Sequence, residues 1–325
     1  MENFLMIAAG LAGLFFGGEW LVKGSSRLAR SFGISALIIG LTIVAIGTSM
    51  PELIVSTDAA LRGSSDISVG NVIGSNIANI GLILGLAGLI SPMVVKTSLV
   101  RREIPIMVGV TLLLLLLIGD GQISQVDGLL LLVGMVAFLS LLIYVEQRAS
   151  TAEQVLEAGV EAELEREIDG AITAKQRPRE ALRVLLGIAL LVVGARLTVD
   201  GAVALARGIG VSELVIGITL VAVGTSLPEL ATSVVAAIRG EADISIGNVV
   251  GSNIANILLI LGLTSVISPV TVAPQIIRLD IWVALGFALV LFPFALNQKL
   301  TRWEAGVLLA VYVGYILVTF SGIVA

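Results

Sequence analysis

The hexapeptides "GTSMPE" at 47–52 and "GTSLPE" at 224–229 each set a threonine and a glutamate four residues apart, Thr48 with Glu52 and Thr225 with Glu229. That spacing puts the two side chains on one helix face. Ser49 and Ser226 stand beside them. Further on, "GNVIGSNIANI" at 70–80 and "GNVVGSNIANI" at 247–257 separate Ser75 from Asn79, and Ser252 from Asn256, by the same four residues. Carboxylate, hydroxyl and amide oxygens without nitrogen or sulfur donors suit a hard cation, Ca²⁺, Na⁺ or Mg²⁺, over zinc or copper. Histidine and cysteine are absent from the chain. That removes the usual zinc ligands, disulfides and the commonest general base.

Each hexapeptide also carries a proline, Pro51 or Pro228, inside an apolar stretch. Proline has no N–H, and its ring collides with the carbonyl four residues back, so a helix kinks or breaks there. The carbonyls of Gly47 and Gly224 lose their helical partner, and those around Ala45 and Ala222 are disturbed. Freed carbonyls at membrane depth are tolerated only where protein or a wet cavity receives them. A carboxylate at that depth costs roughly 2.5 kcal/mol or more. No Lys or Arg lies in the middle of these stretches, so each glutamate is expected to be protonated or to hold a cation. Two carboxylates neutralise one divalent ion.

The elements that must position these groups follow from composition. The chain has 325 residues, of which 57% are hydrophobic and 13% charged, with a mean hydropathy of +1.07. Soluble domains are about 25% charged. Apolar runs of about 20 residues, each able to cross a hydrocarbon layer of about 30 Å, are expected at 3–22, 34–61, 67–90, 104–119, 127–145, 181–199, 211–238, 244–267, 280–297 and 304–323. The fold class is an all-α polytopic membrane protein with ten transmembrane helices. "TLLLLLLI" at 111–118 lacks the alternation of a β-barrel strand. The first run has neither a basic leader nor a cleavage site and reads as a retained helix.

A shift of 177 residues aligns 40–85 with 217–262 without a gap, and 32 of those 46 positions are identical. The chain is therefore a duplication: 1–146, a polar linker at 147–180, and 181–325. Five spans per copy, an odd number, bring the second copy in from the opposite face, so the halves are inverted. Inverted repeats are an architecture of secondary transporters, which bind substrate where the halves meet. With the N-terminus outside, fifteen of the nineteen Lys and Arg fall in inner loops. A Lys/Arg excess marks the cytoplasmic side, so both termini are expected outside and the linker inside. The net charge of −5 is mostly local: 151–180 holds eight acids and four bases. No nucleic-acid footprint follows from it.

Plainer roles suit other residues. Gly70, Gly74 and Ala78, with Gly247, Gly251 and Ala255, let helices approach closely. Asn71 and Asn248 read as packing contacts between helices. Asp66 and Asp243 read as N-caps. Asp58 with Arg62, Glu19 with Lys23, and Arg196 with Asp200 read as i,i+4 pairs. The linker reads as acidic and partly helical. An intramembrane hydrolase would need a nucleophile–base pair or an activated water. The chain has no His or Cys, and its acids recur symmetrically, so an enzyme is not expected.

The doubled stretch "GTSMPE…GNVIGSNIANI" and "GTSLPE…GNVVGSNIANI" resembles the two α-repeats of the calcium/cation antiporter superfamily, most closely the prokaryotic sodium/calcium exchangers. The resemblance covers nearly the whole chain. It implies antiport of Na⁺ against Ca²⁺ by alternating access, with the first and sixth spans sliding past a core of four helices. It assigns the Ca²⁺ carboxylates to Glu52 and Glu229, and main-chain carbonyls to Thr48 and Thr225. It further implies flanking Na⁺ sites at Ser49, Ser75, Ser226 and Ser252 with the carbonyls of Ala45 and Ala222. Asn79 and Asn256 complete the middle. Sodium/calcium members carry an acid at one of the two central amide positions, whereas here both are asparagine. The symmetrical Glu/Asn set also resembles proton/calcium exchangers, so H⁺ stays open as the coupling ion. The implied surroundings are the cell inner (plasma) membrane and its lipid bilayer. No cofactor or protein partner is implied, and the chain reads as a monomer.

Overall fold

The computed structural model describes residues 2–152, 176–208 and 222–320. Expectations for 153–175, 209–221 and 321–325, including most of the linker and the start of the seventh span, lie outside the described residues.

The described chain is helical apart from two short strand pairs. The helices are α1 (Glu2–Phe32), α2 (Ala36–Thr48), α3 (Met50–Leu61), α4 (Ser65–Ile90), α5 (Leu99–Asp120), α6 (Gln125–Ala152), α7 (Arg177–Gly208), α8 (Ala222–Thr225), α9 (Leu227–Ile238), α10 (Ala242–Ile267), α11 (Ile276–Ala295) and α12 (Arg302–Phe320). Among the described residues eight helices are long and apolar enough to cross a membrane. α2 and α3 add a ninth, broken span bent by 44°. The expected seventh span is described from α8 onward. The strands, which the sequence reading did not anticipate, clip the two halves together. β1 (Met93–Val94) pairs antiparallel with β4 (Lys299–Leu300), and β2 (Gln122–Ile123) with β3 (Val270–Thr271).

α1 and α7 have 31 and 32 residues. At about 1.5 Å per residue they are roughly 46–48 Å long, well beyond the hydrocarbon core, so they must lie tilted or project from it. They run antiparallel in contact along their length. Glycines seven residues apart make this possible. A Cβ on Gly17 would lie 2.8 Å from the Leu191 nitrogen, and one on Gly194 would lie 2.7 Å from the Leu14 nitrogen. Gly10 meets Gly194, and Gly17 meets Gly187. Since Gly187 and Gly194 are the repeat mates of Gly10 and Gly17, the contact is self-complementary, as about a twofold axis.

α2, α3, α4, α9 and α10 form the centre. Gly40 and Gly247 bring α2 against α10, with a Cβ on either lying 3.2 Å from the other's Cα. Repeat-related Gly63 and Gly240, at φ +77° and +75°, end α3 and α9 in the left-handed region. Their successors Ser64 and Glu241 donate back to Ala59 and Ala236 at 2.8 and 2.9 Å, a helix stop that suits glycine.

Among the described residues the twofold relation breaks where α1 meets α9. Gly18 of α1 sits against α9, its Cβ position 3.3 Å from the Ala231 carbonyl and from Val235 Cγ2. The repeat-related pair, α7 and α3, has no comparable packing.

Some local expectations need correcting. Asp66 and Asp243 are not N-caps. They lie inside the first turns of α4 and α10, after Ser64 and Glu241, and Asp243 pairs with Lys96 at 2.8 Å. Of the two expected effects of the prolines, kink or break, the structure shows the break. Pro51 and Pro228 stand in the first turns of new helices, α3 and α9, where the missing N–H has no helical partner to lose. Helix also enters the linker from both sides, through the end of α6 and the start of α7. The i,i+4 pairs Glu19–Lys23, Asp58–Arg62 and Arg196–Asp200 stand at 2.8, 2.7 and 3.9 Å.

Candidate cation site

Both glutamates are buried, Glu52 to 0% and Glu229 to 1% exposure. Each is the third residue of a half-helix that starts at the proline break. Ser49 and Ser226, at φ −81° ψ 8° and φ −86° ψ 6°, form the joints. The Ser49 N–H closes α2 on the Ala45 carbonyl at 3.1 Å, and the Ser49 carbonyl opens α3 by accepting from the Leu53 N–H at 3.2 Å.

The sequence Ser-x-x-Glu at such a joint would ordinarily be a capping box within one helix. Neither serine caps its own helix. Ser49 Oγ donates instead to Glu229 Oε1 at 2.8 Å, and Ser226 Oγ to Glu52 Oε1 at 3.0 Å. Ser75 Oγ adds a long contact to Glu52 Oε1 at 3.5 Å and touches Ser226 Oγ at 3.1 Å. Ser252 Oγ donates to the Ala45 carbonyl at 3.4 Å. The structure therefore forms two neighbouring hydrogen-bonded sets, Glu52 with Ser226 and Ser75, and Glu229 with Ser49, the Ala45 carbonyl and Ser252, each drawn from both halves and together making one cluster. Ala222 opens α8 on the matching segment.

Thr48 and Thr225, whose hydroxyls stand beside Glu229 and Glu52, join this cluster to a brace. Thr48 Oγ1 donates to Asn248 Oδ1 at 3.1 Å, and Thr225 Oγ1 to Asn71 Oδ1 at 3.2 Å. Asn248 Nδ2 in turn donates to Ser233 Oγ and the Glu229 carbonyl at 3.0 and 3.4 Å. Asn71 does the same to Ser56 Oγ and the Glu52 carbonyl at 3.0 and 3.4 Å. These contacts fit the packing role read for Asn71 and Asn248.

Asn79 and Asn256, each 1% exposed, open wide π turns at 79–84 and 256–261. Such turns are frequent at functional sites. Their Nδ2 groups donate to Asn253 Oδ1 and Asn76 Oδ1, both at 2.9 Å. Sequence reasoning missed Asn76 and Asn253. The available signal was that each lies three residues before a singled-out amide, on the same flank of the helix.

Four buried atoms of the cluster have no hydrogen-bond partner among the described residues: Glu52 Oε2, Glu229 Oε2, Asn79 Oδ1 and Asn256 Oδ1. All four are acceptors. Among the described residues neither glutamate pairs with Lys or Arg. Of the other two buried acids that are repeat mates, Glu103 pairs with Arg102 through one oxygen while its Oε2 is likewise unpartnered, and Asp280 accepts from Tyr315 Oη at 2.9 Å. The described residues hold no cluster of three or more His, Cys, Asp or Glu, so a cation here would draw most of its oxygens from amides, hydroxyls and carbonyls. Such a set fits Ca²⁺ or Na⁺.

A bundle of apolar helices around an acid-bearing, all-oxygen centre is the build of a multi-pass membrane protein that handles cations. The sodium/calcium exchanger protein family matches residues 2–144 and 180–321, and the chain belongs to that family. It is 38% identical over 321 residues to the putative antiporter CaxA of Alkalimonas amylolytica, covering 98% of each chain. It is 35% identical to the sodium/calcium exchanger MaX1 of Methanosarcina acetivorans, again over 98% of each. The solved structure of the sodium-calcium exchanger NCX_Mj superposes with a TM-score of 0.84 at 34% identity, covering 97% of this chain and 98% of that one. The chain is a cation exchanger.

Proposed function

We propose that this chain exchanges Na⁺ for Ca²⁺ across the cell inner membrane by alternating access, with both ions competing for Glu52 and Glu229. The observation that carries the reading is the set of four unpartnered buried acceptors, two carboxylate and two amide oxygens, one of each from either half. Ca²⁺ takes six to eight oxygens, and this set with neighbouring hydroxyls and carbonyls can supply them. Asn79 and Asn256 contribute amide oxygens, and Thr48 and Thr225 their main-chain carbonyls. Ser49, Ser75, Ser226 and Ser252, with the carbonyls of Ala45 and Ala222, serve flanking Na⁺.

The coupling follows from charge. Two bare carboxylates are costly to occlude in lipid, whereas a loaded site is neutralised. Only the loaded transporter crosses between its two states, which enforces exchange over leak. The broken symmetry of the α1–α9 and α7–α3 packings supports a rocking transition in which these packings trade places.

The arrangement we propose has ten spans in two inverted halves, 1–146 and 181–325. Both termini are extracellular, the 147–180 linker is cytoplasmic, and the protein works as a monomer. The names of the relatives support Na⁺ as the coupling ion. The matched asparagines at 79 and 256 favour a second reading, in which H⁺ on the same two glutamates drives Ca²⁺ antiport. Ca²⁺ uptake into vesicles under an imposed Na⁺ gradient at clamped pH tests the choice. Uptake that follows the Na⁺ gradient is expected. Uptake blind to Na⁺ but driven by a pH gradient would establish the proton exchanger.

A further inference from the structure

Resting on that reading of the site, we propose that Asn76 and Asn253 are positioning residues that decide which atom of Asn79 and Asn256 the ion meets. An amide's oxygen and nitrogen are nearly alike in size, so packing alone does not choose between them. Hydrogen bonds must choose, and here the choice is anchored on backbone.

A backbone carbonyl can only accept. Asn253 Nδ2 donates to the Asn76 carbonyl at 3.3 Å, so the other arm of Asn253 is its oxygen. That oxygen accepts from Asn79 Nδ2 at 2.9 Å. The nitrogen of Asn79 is thereby committed, and its Oδ1, buried and unpartnered, is the atom left over. The same logic runs in reverse across the twofold. Asn76 Nδ2 donates to the Asn253 carbonyl at 3.1 Å, and Asn76 Oδ1 accepts from Asn256 Nδ2 at 2.9 Å. Asn256 Oδ1 is the atom left over.

Every amide nitrogen in this array is committed to a carbonyl or amide oxygen, and the atoms left unpartnered are acceptors. A cation meets oxygens only. Each ligating amide is also held by the opposite half, so α4 and α10 together set the polarity of the site. Without Asn253, Asn79 is free to rotate by half a turn and present Nδ2, a donor that repels a cation.

A double-mutant cycle on the purified full-length protein tests this, with Ca²⁺ binding read by titration calorimetry and folding by thermal unfolding. Asn253→Leu is expected to weaken Ca²⁺ binding by about 10- to 100-fold, as loss of an outer-shell partner does at metal sites. In an Asn79→Ala background the same change is expected to weaken binding by less than about twofold, because Asn253 acts only through Asn79. Unchanged affinity in folded Asn253→Leu overturns the proposal. So does the full loss recurring in the Asn79→Ala background, which would mark a merely structural role. Should Asn253→Leu fail to fold, the mirror cycle of Asn76→Ala with Asn256→Ala carries the same test. Glu52→Gln in the same assay separates the two levels of inference. If it keeps wild-type affinity, the site itself is misread. If it loses binding while Asn253→Leu does not, only the positioning role falls.

Discussion

Ser49 Oγ donates to Glu229 Oε1 at 2.8 Å across the centre of the molecule, although Ser49 stands three residues before Glu52 at the joint of its own helix. The return contact, Ser226 to Glu52, makes a reciprocal pair of serine–carboxylate hydrogen bonds between the two halves. Each carboxylate is thus oriented by the half that does not carry it. The proposed ion site exists only when both halves are in register.

The first expectation concerns that exchange. Ser49→Ala removes a hydrogen bond to a charged acceptor, worth about 1.5–3 kcal/mol, and should weaken Ca²⁺ binding by roughly tenfold or more. Helix content should stay near wild type, because Ser49 does not cap α3. The partner is checked by a cycle: Ser49→Ala should be non-additive with Glu229→Gln, and more nearly additive with Glu52→Gln.

Glu52→Gln and Glu229→Gln should each abolish measurable Ca²⁺ flux while leaving a folded protein. Replacing one buried carboxylate by an amide removes one of the two charges that neutralise Ca²⁺, and metal binding depends on that count. Radioactive Ca²⁺ uptake into proteoliposomes measures the flux, and circular dichroism checks the fold. Full flux in either variant would refute the shared site.

Stability should be most sensitive where backbones touch. Gly17→Val adds carbon atoms 2.8 Å from the Leu191 nitrogen and 2.9 Å from the Gly187 carbonyl. Backbone cannot step aside as a side chain can, so a loss of about 1–3 kcal/mol is expected. A fall in Tm in detergent reads it. Gly109→Ala, whose Cβ meets nothing within 4 Å, should leave Tm unchanged or slightly raised.

Charge bears on the α1–α9 contact. Arg239, beyond the end of α9, pairs with Glu19 of α1, which also holds Lys23 at 2.8 Å. The repeat mates of Glu19 and Arg239 are Arg196 and Arg62, two like charges, each held by an acid of its own helix. Arg239→Glu should therefore loosen α1 from α9. The native chain has no cysteine, so a single cysteine replacing Ala231 reports the change as faster reaction with an aqueous thiol reagent. An increase of up to about fivefold is expected from a partly exposed pair, and Glu19→Arg in the same chain should reverse it.

The sequence made the broad plan legible: apolar spans, the duplication at 177 residues, the breaks at Pro51 and Pro228, and an oxygen-only cluster around two glutamates. These follow from composition, period and local sterics, which a single chain displays directly. The pairing of Ser49 with Glu229 and of Ser226 with Glu52 was not legible, because they join residues 180 and 174 positions apart. Asn76 and Asn253 passed unnoticed because their work is done on residues 174 to 180 positions away.

Residue types and spacing alone determined that a pair of acids would be carried into lipid with hydroxyls and amides beside them. Tertiary structure alone decided which atoms those acids and amides keep free. Hydrogen bonding between distant segments consumes one oxygen of each carboxylate and the nitrogens of Asn79 and Asn256. What remains uncommitted is a set of four acceptors, and only the contact between two halves of one chain could select it.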